Sequence, residues 1–210
     1  MRTLFLFTIA FLFVMLSGPV LFNQSIHGQQ AQTLFDGDVT HGGFGGPVFK
    51  IGEVAGSTGF WLGGRGGWVI ALDQNHSISL GGGGFGLLTD HPVPATHFND
   101  EDLYALNGYG GFIFEYTNNS AKLIHFTTSA LIGAGGLMLR DHSFQDVDDD
   151  VDSYFVFEPG LNVELNVTKF FRIAAGASYR YTNGINRFGF TDKDFSGIQG
   201  VITLKFGKFL

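Results

Sequence analysis

The chain has 210 residues, a length that suits one or two compact domains. Hydrophobic residues make up 44% of it and charged residues 15%, which excludes a disordered tail because disorder needs low hydrophobicity and high net charge. The lack of cysteine excludes disulfides and thiolate metal sites. The net charge of −7 argues against a nucleic-acid partner, which would require a basic surface.

The first thirty residues have the pattern of a secretory signal peptide. Arg2 precedes an apolar run over residues 4–16, and a Ser-Gly-Pro break and a polar stretch follow it. The run is shorter than the roughly 20 residues that a membrane-spanning helix needs. We predict cleavage between Gly28 and Gln32, so that residues 1–30 are the signal peptide, residues 31–210 form one β-barrel domain, and the protein is exported.

The rest of the chain alternates between apolar and polar residues. In the segment 155–167, apolar residues take most odd positions, while Glu158, Asn162 and Glu164 take even ones. Successive side chains of a strand point in opposite directions, so this pattern predicts a strand with one apolar and one polar face. Segments 171–181 and 198–207 repeat the pattern. Five earlier segments follow it less strictly, at about 43–52, 58–72, 76–89, 103–117 and 122–138.

The connections between these eight predicted strands alternate in length. Short turns near 73–75, 118–120 and 167–169 alternate with longer links near 53–57, 90–102, 139–153 and 183–194. This alternation is typical of an up-and-down barrel in an outer membrane. We therefore predict an all-β fold, an eight-stranded antiparallel up-and-down transmembrane β-barrel.

Alternation alone does not show which face meets water, because a soluble ligand-binding barrel also has alternating strands. The apolar face carries almost no charge in mid-strand, the strands are long, and aromatic residues such as Tyr104, Phe170 and Tyr179 lie near strand ends. These features favour an apolar face toward lipid. Charges on the polar face have both signs, and we predict that they form an ion-pair network in the lumen. Its members are Lys50, Arg65, Glu115, Glu158, Glu164, Arg172, Arg180 and Lys205.

Three stretches carry a resemblance to a known group of proteins: residues 157–172, residues 176–181 and the closing residues 204–209. They resemble small outer-membrane barrel proteins of the Bacteroidota type, with an architecture similar to OmpA/OmpX-like barrels. The resemblance implies a Gram-negative outer membrane, contact with its lipid, and insertion by the barrel-assembly machinery. That machinery reads an aromatic C-terminal residue, whereas here Phe209 is followed by Leu210.

Two groups of residues could carry chemistry, and each has a simpler interpretation. Carboxylates on a loop can bind Ca²⁺, but the densest acidic run lacks the glycine and the distal glutamate of an EF-hand loop. We expect a solvated loop without metal; its members are Asp146, Asp148, Asp149, Asp150 and Asp152. His125 and Ser129 share the polar face, but no G-x-S-x-G motif accompanies them, so we expect a hydrogen-bonding role in the lumen. We expect no cofactor and no enzymatic activity.

The function that these observations favour is that of a cell-surface barrel with a structural, adhesive or surface-interaction role. An eight-stranded lumen is filled by its own side chains, so we expect it to be closed. The sequence does not identify the surface partner. It leaves three alternatives open: a narrow, cation-preferring porin-like pore, a lipid-modifying barrel enzyme, and a soluble ligand-binding barrel.

Overall fold

A computed structural model describes residues 40–93, 103–140 and 150–209; the predicted signal peptide lies outside the described residues. Eight antiparallel strands close into a barrel, in which each strand pairs with the next and the last pairs with the first. This confirms the predicted eight-stranded fold. The strands are β1 (His41–Val54), β2 (Ser57–Ala71), β3 (His76–Leu87), β4 (Tyr104–Asn118), β5 (Ile124–Arg140), β6 (Asp152–Asn166), β7 (Phe171–Asn183) and β8 (Gly197–Lys208).

The alternation in the sequence becomes an alternation in exposure. Along β6, Phe155, Leu161 and Val163 are exposed on the outside of the barrel, whereas Val156 and Glu164 are buried in the lumen. A strand must place successive side chains on opposite faces, so the pairing register fixes which residues face inward. Where a strand alternates clearly, most of its apolar residues are on the outside of the barrel and most of its polar residues are in the lumen.

The two ends of the barrel differ in the length of their connections. One end, the turn end, carries the links 72–75, 119–123 and 167–170, and there β1 begins and β8 ends. The other, the loop end, carries the links 55–56, 88–103, 141–151 and 184–196.

At the turn end, Asp73 accepts hydrogen bonds from the backbone N–H groups of Asn75 and His76, at 2.6 and 2.8 Å. These bonds lower the pKa of the Asp73 carboxyl below its usual value.

The first connection at the loop end is shorter than the sequence indicated. We predicted a longer link at 53–57, but β1 and β2 are joined by a two-residue turn, Ala55-Gly56. Both residues have positive φ, 48° and 75°, the combination that a tight type I′ hairpin requires. The Ala55 N–H also donates to the Asp194 carbonyl at 2.8 Å. The hairpin is therefore held by a partner distant in the sequence as well as by its own turn.

The link between β7 and β8 folds over the loop end of the lumen. It contains a short helix, α1 (Asp192–Phe195), preceded by Thr191, whose backbone N–H and hydroxyl both donate to the Asp194 carboxylate. Ile185, Phe190 and Phe195 are buried in the apolar cluster that fills this part of the barrel. We call residues 184–196 the plug segment. The described residues contain no helix that is long and apolar enough to cross a membrane.

Candidate functional site

The outer wall of the barrel carries a continuous apolar surface, to which all eight strands contribute exposed large hydrophobic side chains. We call it the apolar belt. Its main members are Phe49, Ile51, Phe60, Leu62, Trp68, Leu80, Phe112, Phe114, Ile124, Phe126, Ile132, Phe155, Phe157, Leu161, Val163, Leu165, Tyr179, Tyr181, Ile198, Ile202 and Phe206.

Charge is almost absent from this outer wall. In the described strands, outward positions hold Asp, Glu, Lys or Arg only near the ends, at Glu53 and Arg140 on the loop end and at Lys208 on the turn end. Tyr179 and Tyr181 lie toward the loop end, and Phe171 stacks on Phe206 near the turn end, with ring centroids 4.7 Å apart. An apolar band edged by aromatic side chains matches the lipid-facing surface of a membrane barrel.

The lumen, in contrast, contains buried charges that meet in two clusters. In the first, the Lys50 Nζ lies 2.6 Å from Glu158 Oε1. The Glu158 carboxylate also accepts from the hydroxyls of Tyr109 and Ser178, at 2.6 and 2.8 Å. The Lys50 ammonium lies 3.5 Å from the centre of the Phe85 ring. A buried charge is tolerated when it is paired and hydrogen-bonded, and both members of this pair are.

The second cluster lies closer to the turn end and joins two carboxylates through one lysine. Glu115 binds Arg65 at 2.8 Å and the Lys205 Nζ at 2.7 Å. Lys205 also contacts Glu164, which lies 3.2 Å from His125 Nε2 and 3.6 Å from Arg172 Nη1. Seven of the eight charged residues that the sequence assigned to the lumen therefore take part in these two clusters.

Arg180, the eighth residue, is placed differently from the others. It is buried and contacts no carboxylate among the described residues. Its Nε donates to the Phe195 carbonyl of the plug segment at 2.5 Å, and its Nη1 donates to Gln199 Oε1 at 3.2 Å. Its guanidinium lies over Trp61, 4.1 Å from the ring centre. Arg180 thus ties the plug segment to the barrel wall.

Little free space remains between the clusters. A cavity of about 30 Å³ lies beside Lys50, Arg65 and Glu158. The Arg65 Nε and the Asn162 Oδ1 are buried at its wall and have no hydrogen-bond partner among the described residues. This volume is enough for about two water molecules, which could satisfy both atoms.

The structure describes only part of the acidic run that was considered as a metal site. Asp146, Asp148 and Asp149 lie outside the described residues. Asp150 lies 3.1 Å from Arg187, and Asp152 accepts the backbone N–H groups of Asn186 and Arg187 at 2.9 and 3.0 Å. No group of three potential metal ligands occurs in the described part of the chain.

His125 and Ser129 are four residues apart on β5, a spacing of about 13 Å along a strand. The His125 Nδ1 lies 3.1 Å from the Lys122 carbonyl oxygen, and its Nε2 faces Glu164. The structure therefore does not bring His125 and Ser129 together, and the contacts of His125 are with Lys122 and Glu164.

A serine and a histidine do meet at the loop end, in a place that the sequence did not indicate. The Ser57 Oγ lies 2.9 Å from His91 Nδ1, and the His91 Nε2 lies 2.9 Å from Thr89 Oγ1. Burial lowers the pKa of His91 below its usual value, against an opposing effect of the Asp90 charge. No motif marks this pair, because the two residues are 34 positions apart and meet only when β2 and β3 are paired.

The sequence matches no protein-family model, and no curated protein is significantly similar to it. The structure is similar to the N-terminal β-barrel domain of Pseudomonas aeruginosa OprF, with 11% identity, a TM-score of 0.43, and coverage of 81% of this chain and 99% of that one. For Neisserial surface protein A, the identity is 9%, the TM-score is 0.44, and the coverage is 82% and 100%. For Ail, the attachment invasion locus protein of Yersinia pestis, the identity is 14% and the TM-score is 0.40, and the match covers 80% of this chain and 95% of that one. Likenesses of this degree carry no information about activity or partners.

Proposed function

We propose that the chain is an integral β-barrel of a bacterial outer membrane, with a structural, adhesive or surface-interaction role at the cell surface. One observation carries this proposal: the outer wall is an apolar belt without mid-strand charge, while ionised side chains are paired inside. A soluble barrel needs the opposite arrangement, because its outer wall must be hydrated. A closed barrel also leaves no unpaired sheet edge, as a bilayer requires.

The resemblance noted in the sequence supports a Gram-negative source of the Bacteroidota type, with insertion by the barrel-assembly machinery. In this proposal, membrane lipid is the partner of the apolar belt, and the surface partner meets the loop end. Phe209 packs against Phe44, with ring centroids 6.2 Å apart, and lies under the Arg172 guanidinium. An assembly signal at the C-terminus would therefore have to be read before these contacts form.

We also propose that the lumen does not conduct. The two ion-pair clusters and the plug segment fill it, and the cavity beside Lys50 is large enough only for water. This packing argues against the cation-preferring pore. In planar bilayers, we expect no steady conductance from the reconstituted protein, whereas a stable open level would contradict a closed lumen.

Membrane fractionation combined with a heat-modifiability gel tests the proposed location. The processed chain should sediment with outer membranes and migrate differently before and after boiling, because a closed barrel resists detergent. A chain that stays in the aqueous fraction without detergent would contradict the proposal.

A further inference from the structure

We propose that Ser57 and His91 form a nucleophile–base pair that cleaves acyl esters of lipids at the loop end of the barrel. This activity goes beyond the proposed surface role and departs from our expectation that the chain is not an enzyme. It involves a different serine and a different histidine from the lumen residues His125 and Ser129.

The Ser57 hydroxyl has two acceptors within reach, the Val54 carbonyl oxygen at 3.3 Å and, closer to it, the imidazole of His91. The Ser57 Oγ lies 2.9 Å from His91 Nδ1, within the range in which an imidazole can accept the hydroxyl proton. On its other side, the His91 Nε2 lies 2.9 Å from Thr89 Oγ1. Thr89 is itself anchored to the sheet, because its oxygen accepts the Phe60 N–H at 3.2 Å. The three residues thus form a chain of nucleophile, base and positioning group.

The protonation state of the histidine suits a base. Its ring is buried, with 1% of the residue exposed, and burial lowers its pKa, so that the neutral form is present at neutral pH. If Nε2 carries the proton and donates it to Thr89, then Nδ1 has a free lone pair directed at Ser57. A base must be neutral before it can accept a proton.

The residue that carries the nucleophile is exposed, although its base is buried. Ser57 and Gly56 are both exposed, and a side-chain carbon added at Gly56 would meet no atom within 4 Å. Ser57 lies on the wall of an open cavity of about 320 Å³. The residues around that cavity are Ile51, Gly52, Glu53, Gly56, Ser57 and Thr58.

The position of this cavity indicates the class of substrate. Ile51 belongs to the apolar belt and Glu53 is the outward charge at the loop end of the same strand, so the cavity crosses the boundary between lipid and water. The ester groups of membrane lipids lie just outside the hydrocarbon core, at such a boundary. The Ser57 Oγ faces the buried His91, so the ester of an acyl chain that lies along Ile51 would reach it over the Ala55-Gly56 turn.

The reaction that follows uses only the pair, the ester and water. The Ser57 Oγ attacks the ester carbonyl carbon while its proton moves to His91 Nδ1. The bond from that carbon to the alkyl oxygen then breaks, and the leaving alcohol takes the proton from His91. Water attacks the acyl-serine in the same way, releasing the fatty acid and restoring Ser57. The Gly56 N–H, adjacent to Ser57, has no partner among the described residues and is available to the developing oxyanion.

An alkyl fluorophosphonate, which reacts covalently with activated serines, tests the proposal on the full-length protein in detergent. We expect one label per chain, located on Ser57 by mass spectrometry of the wild-type protein. Ser57→Ala should abolish labelling, and His91→Gln should slow it about 100-fold or more. Ser153→Ala is the matched control, because Ser153 is another exposed serine of the loop end, and it should label normally. The wild type and Ser153→Ala should also hydrolyse a long-chain p-nitrophenyl ester at the same rate, His91→Gln should do so much more slowly, and Ser57→Ala should not hydrolyse it.

Each outcome decides the question. An unlabelled wild-type protein, a label on another residue, or equal labelling of Ser57→Ala would overturn the proposal. Mass spectrometry locates the label on the wild-type protein and needs no variant. The proposal can therefore be tested even if a variant fails to fold, as judged by the loss of its heat-modifiable form. A barrel that fractionates with membranes but does not react refutes only the activity, whereas a barrel absent from membranes refutes the proposed function.

Discussion

At the scale of single residues, the lumen of this barrel depends on pairing. Lys50 and Glu158 are each about 95% buried, and each is the other's only ionic partner among the described residues. Removing one member leaves a buried charge without compensation, which typically costs 3–5 kcal/mol, whereas replacing both by neutral groups costs much less. We therefore expect the pair to specify how β1 and β6 face each other across the lumen more than it adds net stability.

A double-mutant cycle tests this interpretation. We expect Lys50→Met and Glu158→Gln each to lower the free energy of unfolding by about 3–5 kcal/mol, and the double variant to cost clearly less than the sum. Urea titration of the protein folded in lipid vesicles measures these differences. Arg187→Gln, which breaks an exposed pair with Asp150, should change stability by less than about 1 kcal/mol. Additive effects of Lys50→Met and Glu158→Gln would show that the pair is not coupled.

At the scale of elements, the hairpin between β1 and β2 carries a residue that its backbone does not favour. Ala55 adopts a φ of 48°, a conformation that costs a non-glycine residue about 1 kcal/mol or more. We expect Ala55→Gly to raise the free energy of unfolding by about 0.5–1 kcal/mol, and Gly56→Val to lower it. The same urea titration compares both variants with the wild type. A stabilising Gly56→Val would contradict the turn geometry.

The orientation of β6 gives a second prediction at this scale. Leu161 is exposed on the outer wall near the middle of β6, while Ser153 occupies an outward position of the same strand near the loop end. If the belt meets lipid, Leu161→Arg should cost about 2–4 kcal/mol and Ser153→Arg about 0–1 kcal/mol, because the cost of a charge depends on its depth. Equal costs at the two positions, measured in vesicles, would argue against a bilayer around this wall.

The sequence specifies the strands better than the contacts between them. Strict alternation predicts β6, β7 and β8, because successive side chains of a strand point to opposite faces, one apolar and one polar. The Ala55-Gly56 turn was missed, since Ala-Gly is a weak hairpin signal and its geometry is supported by a bond to Asp194. The partner of Arg180 and the approach of Ser57 to His91 depend on the register of several strands, which no local pattern encodes.

At the scale of the whole molecule, one layer of sheet separates two environments. Among the described residues, the charged side chains of the two clusters and Arg180 are inside, and the outside offers apolar side chains from every strand. The chain contains two tryptophans, one on each side: Trp61 is buried in the lumen with 2% exposure, and Trp68 is 51% exposed in the apolar belt. Each environment therefore contains one natural tryptophan whose fluorescence reports on it.

Quenching by lipids with brominated acyl chains measures directly which face of the barrel wall meets lipid. In vesicles of such lipids, Trp61→Phe, which retains only Trp68, should lose most of its tryptophan fluorescence, because bromine quenches on contact. Trp68→Phe, which retains only Trp61, should keep most of it, since the sheet separates Trp61 from the acyl chains. Strong quenching of Trp61 with little quenching of Trp68 would show that the barrel wall is oriented the other way, and no quenching of either would show that the barrel does not span the bilayer.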